Sequence, residues 1–185
     1  APVSMRTEAI AALSTWAKPS VVDRVDGRFR GSVSRELAGV QSKASAALIS
    51  LLSNKDASIR LGAAKAIGKL QVKGETELFA HLKTDKSPEV RVQSLKSLSS
   101  VKYDKLDDAI KVALKDNDKS VRVVALDLLP ESTMTKDVMV SLLTDVVNTR
   151  TTEERQAALT TLGTLPFEST QATFEGLLTK YEKGS

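Results

Sequence analysis

The chain has 185 residues, of which 41% are hydrophobic and 27% charged, and its formal net charge is +4. This length and apolar content suffice for a buried core, which excludes a disordered polypeptide. The sequence has no cysteine and one histidine, which excludes disulfides, thiolate metal sites, cysteine nucleophiles and most histidine chemistry. No apolar run approaches the roughly 18 residues that span a bilayer, so we expect no direct membrane insertion. Few residues are aromatic (4%), glycine (9) or proline (5), which favours an all-α fold.

A sequence repeat runs through the chain. Arg60, Arg91 and Arg122 follow one another at intervals of 31 residues, and each is preceded by a β-branched residue. Arg155 and Arg6 extend the same register towards the two ends, which gives five copies. A sequence period of this length is typical of proteins built from stacked helical units.

The residues after each arginine predict an α-helix with one buried face. A small residue stands three positions after the arginine, and large aliphatic residues stand four and seven positions after it, except that Ala64 is small. These offsets lie on one face of an α-helix. The small residues are Ala9, Ala63, Ser94, Ala125 and Ala158; the large ones are Ile10, Leu95, Leu126 and Leu159 at the first offset and Leu13, Ile67, Leu98, Leu129 and Leu162 at the second.

Polar residues mark where these helices begin. Each stands four positions before a repeated arginine, where its side chain can accept a hydrogen bond from a backbone N–H of the first turn. Pro88 then occupies a first helical position, and Thr151 with Glu154 has the spacing of a capping box. We attribute the acidic pair Glu153 and Glu154 to a favourable interaction with the helix dipole. The predicted N-cap residues are Asp56, Ser87, Asp118 and Thr151.

A second apolar helix precedes each cap, so the repeated unit is a pair of helices. One pair leaves an apolar face open, and neighbouring pairs must therefore stack into a single α-solenoid over residues 1–185. Large apolar residues such as Trp16 and Phe174 lie on the two end helices, so we expect a fragment of a longer protein; the alternative is naturally truncated ends. The predicted pairs cover residues 34–70, 74–101, 104–130 and 135–165, with single helices at 4–16 and 169–182.

The segments DASIRLGAAKAIGKL, SPEVRVQSLKSLSSV and DKSVRVVALDLL resemble short HEAT-like repeats, in which an acidic turn precedes a helix of the pattern V-R-x-x-A-hydrophobic. The resemblance implies a right-handed α–α superhelix of the HEAT/armadillo type that serves as a scaffold for other macromolecules. It also implies an aspartate in the turn six residues before the repeated arginine. Asp85 and Asp116 match that position, whereas Asn54 replaces it in an earlier repeat.

Residues 12–31 carry a second, shorter resemblance, to a segment of large exported bacterial proteins that combine a dehydrogenase-like propeller, HEAT repeats and a cytochrome c domain. It favours a periplasmic or cell-envelope location over a cytoplasmic one, although the compartment stays open. The haem-attachment motif CxxCH and propeller repeats do not occur in this sequence. We therefore expect no cofactor and no metal in this chain.

Residues 17–32, here called the arm, interrupt the regular spacing of helices. Asp26-Gly27 stands between the β-prone stretches VVDRV and RFRG, which predicts an inserted hairpin or loop. Over residues 17–35 basic residues exceed acidic ones by three. One interpretation is a docking arm for an acidic partner surface. The alternative is a loop that covers the N-terminal end of the solenoid, with Val25 and Phe29 packed on Trp16 and with Asp23 or Asp26 paired with an arginine. The candidate docking residues are Arg24, Arg28, Phe29 and Arg30.

A second candidate surface lies opposite the buried face of the repeated helices. Its three lysines are balanced by three acidic residues, whereas phosphate binding needs a continuous basic track. Nucleic acid is therefore disfavoured as a partner, and a HEAT-like nucleic-acid-binding protein or DNA glycosylase stays the alternative function. The lysines are Lys65, Lys69 and Lys96, and the acids are Glu8, Asp127 and Glu131.

The repeated arginines admit two interpretations, an anion-binding ladder or structural residues that reach turn carboxylates, and we favour the second. His81 has no histidine, cysteine or carboxylate at ligand spacing on the same predicted helix, so we expect a surface or boundary residue. No nucleophile elbow, phosphate loop or metal-binding motif occurs. The sequence therefore predicts a non-catalytic scaffold for a protein partner or for neighbouring domains of the same polypeptide.

Overall fold

The computed structural model describes residues 1–23 and 25–183, and these residues are all-α, as predicted. They form ten α-helices and one 3₁₀ turn, Leu129–Glu131. Within the described ranges, none of the helices is both long and apolar enough to cross a bilayer. The helices are α1 (Val3–Ser14), α2 (Leu37–Leu52), α3 (Ala57–Leu70), α4 (Glu75–Thr84), α5 (Pro88–Ser100), α6 (Leu106–Ala113), α7 (Lys119–Asp127), α8 (Lys136–Thr149), α9 (Thr152–Leu162) and α10 (Phe167–Glu182).

The helices that carry the repeated arginines begin where the polar caps predicted. The Ser87 hydroxyl accepts a hydrogen bond from the Val90 N–H at 3.4 Å, and the Asp118 carboxylate accepts one from the Ser120 N–H at 2.8 Å. The Asp56 side chain makes no capping hydrogen bond, so the side-chain role predicted for it is wrong. The residues that precede α3, α5, α7 and α9 are Asp56, Ser87, Asp118 and Thr151.

The chain divides into two compact units, residues 1–104 and 105–185. In the first unit, α3 packs against α1, α2 and α5, while α4 packs against α5 and contacts α2. This unit therefore contains two rows of helices, with α1, α3 and α5 in one row and α2 and α4 in the other. Its core lies between the rows and includes the fully buried Leu48, Leu52, Ile59, Ile67, Leu78, Leu82, Leu95 and Leu98.

In the second unit, α9 packs against both α7 and α8. Helix α10 packs against α8, and α6 packs against α7. The arginine-bearing helices α7 and α9 thus pack side by side within this unit. The core of this unit includes the buried Ile110, Leu126, Leu129, Leu143 and Leu162.

The predicted buried face is correct throughout the interior helices and correct only in part in α1 and α9, where Ile10, Ala158 and Leu162 are buried. In α3, α5 and α7, every residue at the three predicted offsets is at most 1% exposed. In α1, Ala9 is exposed and Leu13 is half-buried, because α1 packs mainly against α3. Leu159 on α9 is 38% exposed, because α10 packs on α8 and not on that side of α9.

Helices α3 and α5 approach each other closely at Gly68. A side-chain Cβ at Gly68 would lie 2.9 Å from the Ser97 Cβ and 3.0 Å from the Ser97 Cα. The buried Ser97 hydroxyl donates to the Ala64 carbonyl of α3 at 2.8 Å. In the second unit, the Thr161 hydroxyl donates in the same way across to the Leu126 carbonyl, at 3.2 Å. The same repeat position thus supplies a hydroxyl that joins neighbouring helices in both units.

Candidate docking sites

Arg35 closes the base of the arm. Its backbone N–H donates to the Ala17 carbonyl at 2.8 Å, and its Nη1 donates to the Trp16 carbonyl at 3.1 Å. The guanidinium also lies over the Trp16 indole, 4.8 Å from the ring centroid, in a cation–π contact. These contacts hold the two ends of the arm together, so Arg35 is engaged in the fold.

The arm itself is a short hairpin-like loop. Val22 and Phe29 form an isolated antiparallel bridge. Gly27 lies in the turn with φ of +71°, in the left-handed region that favours glycine. Arg24, one of the predicted docking residues, lies outside the described residues. Two backbone hydrogen bonds of 2.7 Å flank the bridge, from the Asp23 N–H to the Arg28 carbonyl and from the Arg30 N–H to the Val21 carbonyl.

The two aspartates of the arm neutralise part of its positive charge. Arg30 Nη2 lies 3.1 Å from Asp23 Oδ2 and 3.3 Å from Asp26 Oδ2, whereas Arg28 Nε lies 3.5 Å from Asp26 Oδ2. Backbone N–H groups of Val25 and Asp26, together with Arg30, hold the pKa of Asp23 below its ordinary value. Arg30 therefore stabilises the loop, while the Arg28 side chain remains 78% exposed.

The apolar residues of the arm face solvent. Val25 is 97% exposed and Phe29 is 76% exposed. The predicted packing of these two residues on Trp16 is therefore wrong, whereas the aspartate–arginine pairing of the same alternative is present in the contacts of Arg30. The ring of Trp16, itself 45% exposed, is contacted by Arg35. The arm presents an aromatic ring, a valine and the Arg28 guanidinium on a loop whose base is fixed.

The three predicted lysines are exposed, but the structure brings only two of them to one hollow. Lys65 and Lys69 lie one helical turn apart on α3 and line a hollow together with Ser14, Thr15 and Ser20. Lys96 is exposed on α5 and does not line that hollow. These positions form a pair of cations and not the continuous track that a nucleic-acid backbone requires.

The repeated arginines bind backbone carbonyls of the segments that precede their helices. A guanidinium can satisfy several carbonyls at once, because it carries five N–H donors in a fixed plane. The contacts are 2.7–3.0 Å long and run from Arg60 to Asn54 and Lys55, from Arg91 to Asp85, from Arg122 to Asp116 and Asn117, and from Arg155 to Val147. In α1, Arg6 is half-buried.

Arg60 and Arg122 also pair with a buried acid of the following repeat. Arg60 Nε and Nη2 each lie 2.7 Å from the Asp85 carboxylate. Arg122 Nε and Nη2 lie 2.7 and 3.2 Å from the Glu154 carboxylate. Both acidic side chains are only 2% exposed. These bidentate pairs occupy the guanidinium groups, so they act in the structure and are not open to an external anion.

Hydrogen bonds keep both buried acids ionised. Burial alone would raise the pKa of Asp85, but hydrogen bonds from Arg60, the Ser87 N–H and His81 outweigh it and lower the pKa to about 2. The hydrogen bonds from Arg122 lower the pKa of Glu154 to about 2 against the effect of burial. Each pair is therefore a carboxylate with a guanidinium at neutral pH.

Two contacts of these buried acids were not predicted from the sequence. The predicted capping box of Thr151 and Glu154 is present, but the burial of the Glu154 carboxylate and its pairing with Arg122 were not predicted. The Glu154 carboxylate also accepts from the Thr151 hydroxyl at 2.8 Å. The half-buried His81 was expected to lack a carboxylate on its helix, yet its Nδ1 lies 2.9 Å from Asp85 Oδ2. The spacing of four residues between His81 and Asp85 was the available signal, since such pairs meet at a helix end.

Comparisons with known proteins assign no family to these features. No protein-family model matches the chain, and no protein of curated function matches its sequence. Among the residues that the structure describes, histidine, aspartate and glutamate side chains do not form a group of three or more that could hold a metal ion.

Proposed function

We propose that this chain is a non-catalytic segment of a HEAT-like solenoid that binds a protein partner, or a neighbouring domain of its own polypeptide, through the arm. The observation that carries the proposal is the exposure of Val25 and Phe29, at 97% and 76%, on a loop whose base is closed by Arg35. Apolar side chains of this size gain free energy when a partner removes them from water.

The arm contains the residue types of a protein interface, and its backbone is already held in place. Aromatic residues and arginine are enriched at protein interfaces, and here Phe29 and the exposed Arg28 are adjacent. Because Arg30 and Arg35 already hold the loop, binding would order few further residues. An acidic partner surface would complement the Arg28 guanidinium.

The packed helices would act as the rigid support of the arm. The arginine contacts and the hydroxyl bridges join successive helices within each unit. A support of this kind positions a binding loop without supplying chemistry of its own.

Photo-crosslinking tests this proposal. Phe29 is replaced by photoreactive benzoylphenylalanine in the full chain, cells of the native host are irradiated, and the adduct is identified by mass spectrometry. The matched control carries the same amino acid at Tyr181, which is 83% exposed on α10. We expect one protein adduct at position 29 that is absent at position 181 and is lost when Arg28→Glu is added.

Two outcomes would overturn the proposal. The first is that position 29 gives no adduct, or the same adducts as position 181. The second is that the purified chain binds duplex DNA in a salt-dependent manner and loses that binding on Lys65→Glu with Lys69→Glu, because this would favour a nucleic-acid-binding function. Arg30→Glu is unsuitable as a probe, because it would break the contacts with Asp23 and Asp26 that hold the loop.

A further inference from the structure

A hollow of about 280 Å³ lies in the second unit among α6, α7 and α8. Its apolar lining comes from Leu114, Leu126, Leu142 and Val146. Leu126 and Val146 are buried, whereas Leu114 and Leu142 are half-exposed and open to solvent. We call this site the α6–α8 hollow. A space of this size accommodates one or two aliphatic side chains.

Cations surround this apolar lining. Lys111, Lys115 and Arg150 are exposed at its edge, and the exposed Asp145 lines the hollow with them. The other charged residues of the hollow, Arg122 and Glu154, neutralise each other. Lys111 lies 3.9 Å from Asp108 in an exposed pair, and in the described part of the chain neither Lys115 nor Arg150 has an ion-pair partner. The edge therefore carries an excess of positive charge.

The equivalent hollow of the first unit has a different chemistry. It contains Arg60 and Asp85 in place of Arg122 and Glu154, and His81 in place of Asp145 at ten residues before the next arginine. Leu52 is the one large aliphatic residue that lines it, and its other lining residues are polar or charged. Lys55 and Lys86 give that hollow a basic edge as well, so the apolar lining is the feature that distinguishes the second unit.

From this contrast we propose that the α6–α8 hollow binds an acidic peptide segment of a partner protein. One or two leucine-like side chains of the segment contact Leu114, Leu142 and Val146, and flanking carboxylates contact Lys111, Lys115 and Arg150. The charge excess selects acidic over neutral sequences, and the apolar lining selects leucine-like over serine-like side chains. This site is separate from the arm and does not depend on its function.

Fluorescence anisotropy tests the proposal with a fluorescein-labelled peptide, Asp-Glu-Leu-Leu-Glu-Asp, and the full chain at low salt. We expect Lys115→Glu with Arg150→Glu to weaken binding about tenfold or more, since two favourable charge contacts become repulsive. Leu142→Gln should weaken it about fivefold through the lost apolar contact. The matched control, Lys55→Glu with Lys86→Glu at the equivalent hollow of the first unit, should leave binding within about twofold.

Peptide variants and folding controls complete the test. The amide peptide Asn-Gln-Leu-Leu-Gln-Asn and the serine peptide Asp-Glu-Ser-Ser-Glu-Asp should each bind at least about tenfold more weakly than the parent. Circular dichroism checks that Leu142→Gln keeps the fold, and the charge changes lie at exposed positions. Phe29→Ser should not alter peptide binding, so failure of the arm and failure of this site are distinguishable.

Four outcomes would overturn the proposal. They are the absence of peptide binding at millimolar concentration, an equal loss in the Lys55 and Lys86 control, undiminished binding of the amide peptide, and tighter binding of free octanoate than of the peptide. The last outcome would assign the hollow to a small aliphatic carboxylate.

Discussion

Each unit pairs a repeated arginine with a buried acid, but the acid stands at a different repeat position in the two units. In the first unit, Arg60 pairs with Asp85, which directly follows α4. In the second unit, α8 is longer and ends at Thr149, six residues before Arg155, where the other repeats would place the turn aspartate. The acid is instead Glu154, in the first turn of α9. The guanidinium therefore pairs with a carboxylate that lies within its reach, and that carboxylate can come from different positions of the repeat.

The largest expected effect comes from removing either acid. Asp85→Ala and Glu154→Ala each leave a half-buried arginine without its carboxylate, which should lower the free energy of unfolding by about 3 to 5 kcal/mol. Urea unfolding followed by circular dichroism measures both. The control is Glu153→Ala, which removes the exposed pair with Lys119 and should lower stability far less, because solvent screens that pair. A similar loss of stability for Glu153→Ala and Glu154→Ala would show that the buried pair of Glu154 stabilises the fold no more than the exposed pair of Glu153 does.

Acid denaturation sharpens the same comparison. The pKa values of Asp85 and Glu154 in the fold, each about 2, lie below their ordinary values of 3.8 and 4.5. Their stabilising effect is therefore fully present above about pH 5 and is lost as the pH falls towards 2. In Asp85→Ala and in Glu154→Ala, stability should depend less on pH over this interval than in the parent chain. An unchanged pH dependence in either variant would contradict the role of that acid.

The second largest effect concerns matched core positions. Leu98 in α5 and Leu162 in α9 are both fully buried seven residues after their arginines, so each change to alanine should cost about 2 to 5 kcal/mol. Leu177→Ala in α10 should cost less, because Leu177 is half-buried. Denaturant midpoints for the three variants provide the measurement. A loss at Leu177 equal to the other two would show that α10 contributes as much burial as the interior helices.

Much of the fold could be predicted because local signals agreed with one another. The helix starts followed from polar caps and from Pro88, and the buried face of the interior helices followed from helical spacing. The burial of Leu159 and Ala9 was predicted wrongly, because the sequence does not say which side of a helix lacks a neighbour. The capping box of Glu154 was predicted correctly. The pairing of Glu154 with Arg122 was missed, since the two residues lie 32 residues apart and their contact depends on how α8 ends. The exposure of Phe29 likewise depends on packing that no local pattern encodes.

A smaller difference in stability is expected between alanine substitutions at Gly68 in the first unit and at Gly163 in the second. Gly68→Ala should cost about 1 to 3 kcal/mol, because the new methyl group would meet the Ser97 side chain and backbone at 3.0 Å or less. Gly163 stands at the equivalent position of the second unit, where a Cβ would meet only the Thr160 and Leu159 carbonyls, at 3.3 and 3.6 Å. Gly163→Ala should therefore change stability by no more than about 0.5 kcal/mol. Equal losses in thermal denaturation would contradict a close approach confined to α3 and α5.

The smallest expected effect concerns the small residue three positions after the arginine. Ser94 is fully buried, and among the described residues its hydroxyl is a buried side-chain oxygen without a hydrogen-bond partner. Removing an unsatisfied hydroxyl relieves a desolvation penalty, so Ser94→Ala should leave stability unchanged or raise it by up to about 1 kcal/mol. The reverse change in the second unit, Ala125→Ser, buries a new hydroxyl at the equivalent position and should cost about 1 to 2 kcal/mol. Calorimetry of both variants tests the pair, and a loss of stability in Ser94→Ala would mean that this hydroxyl is bonded in solution.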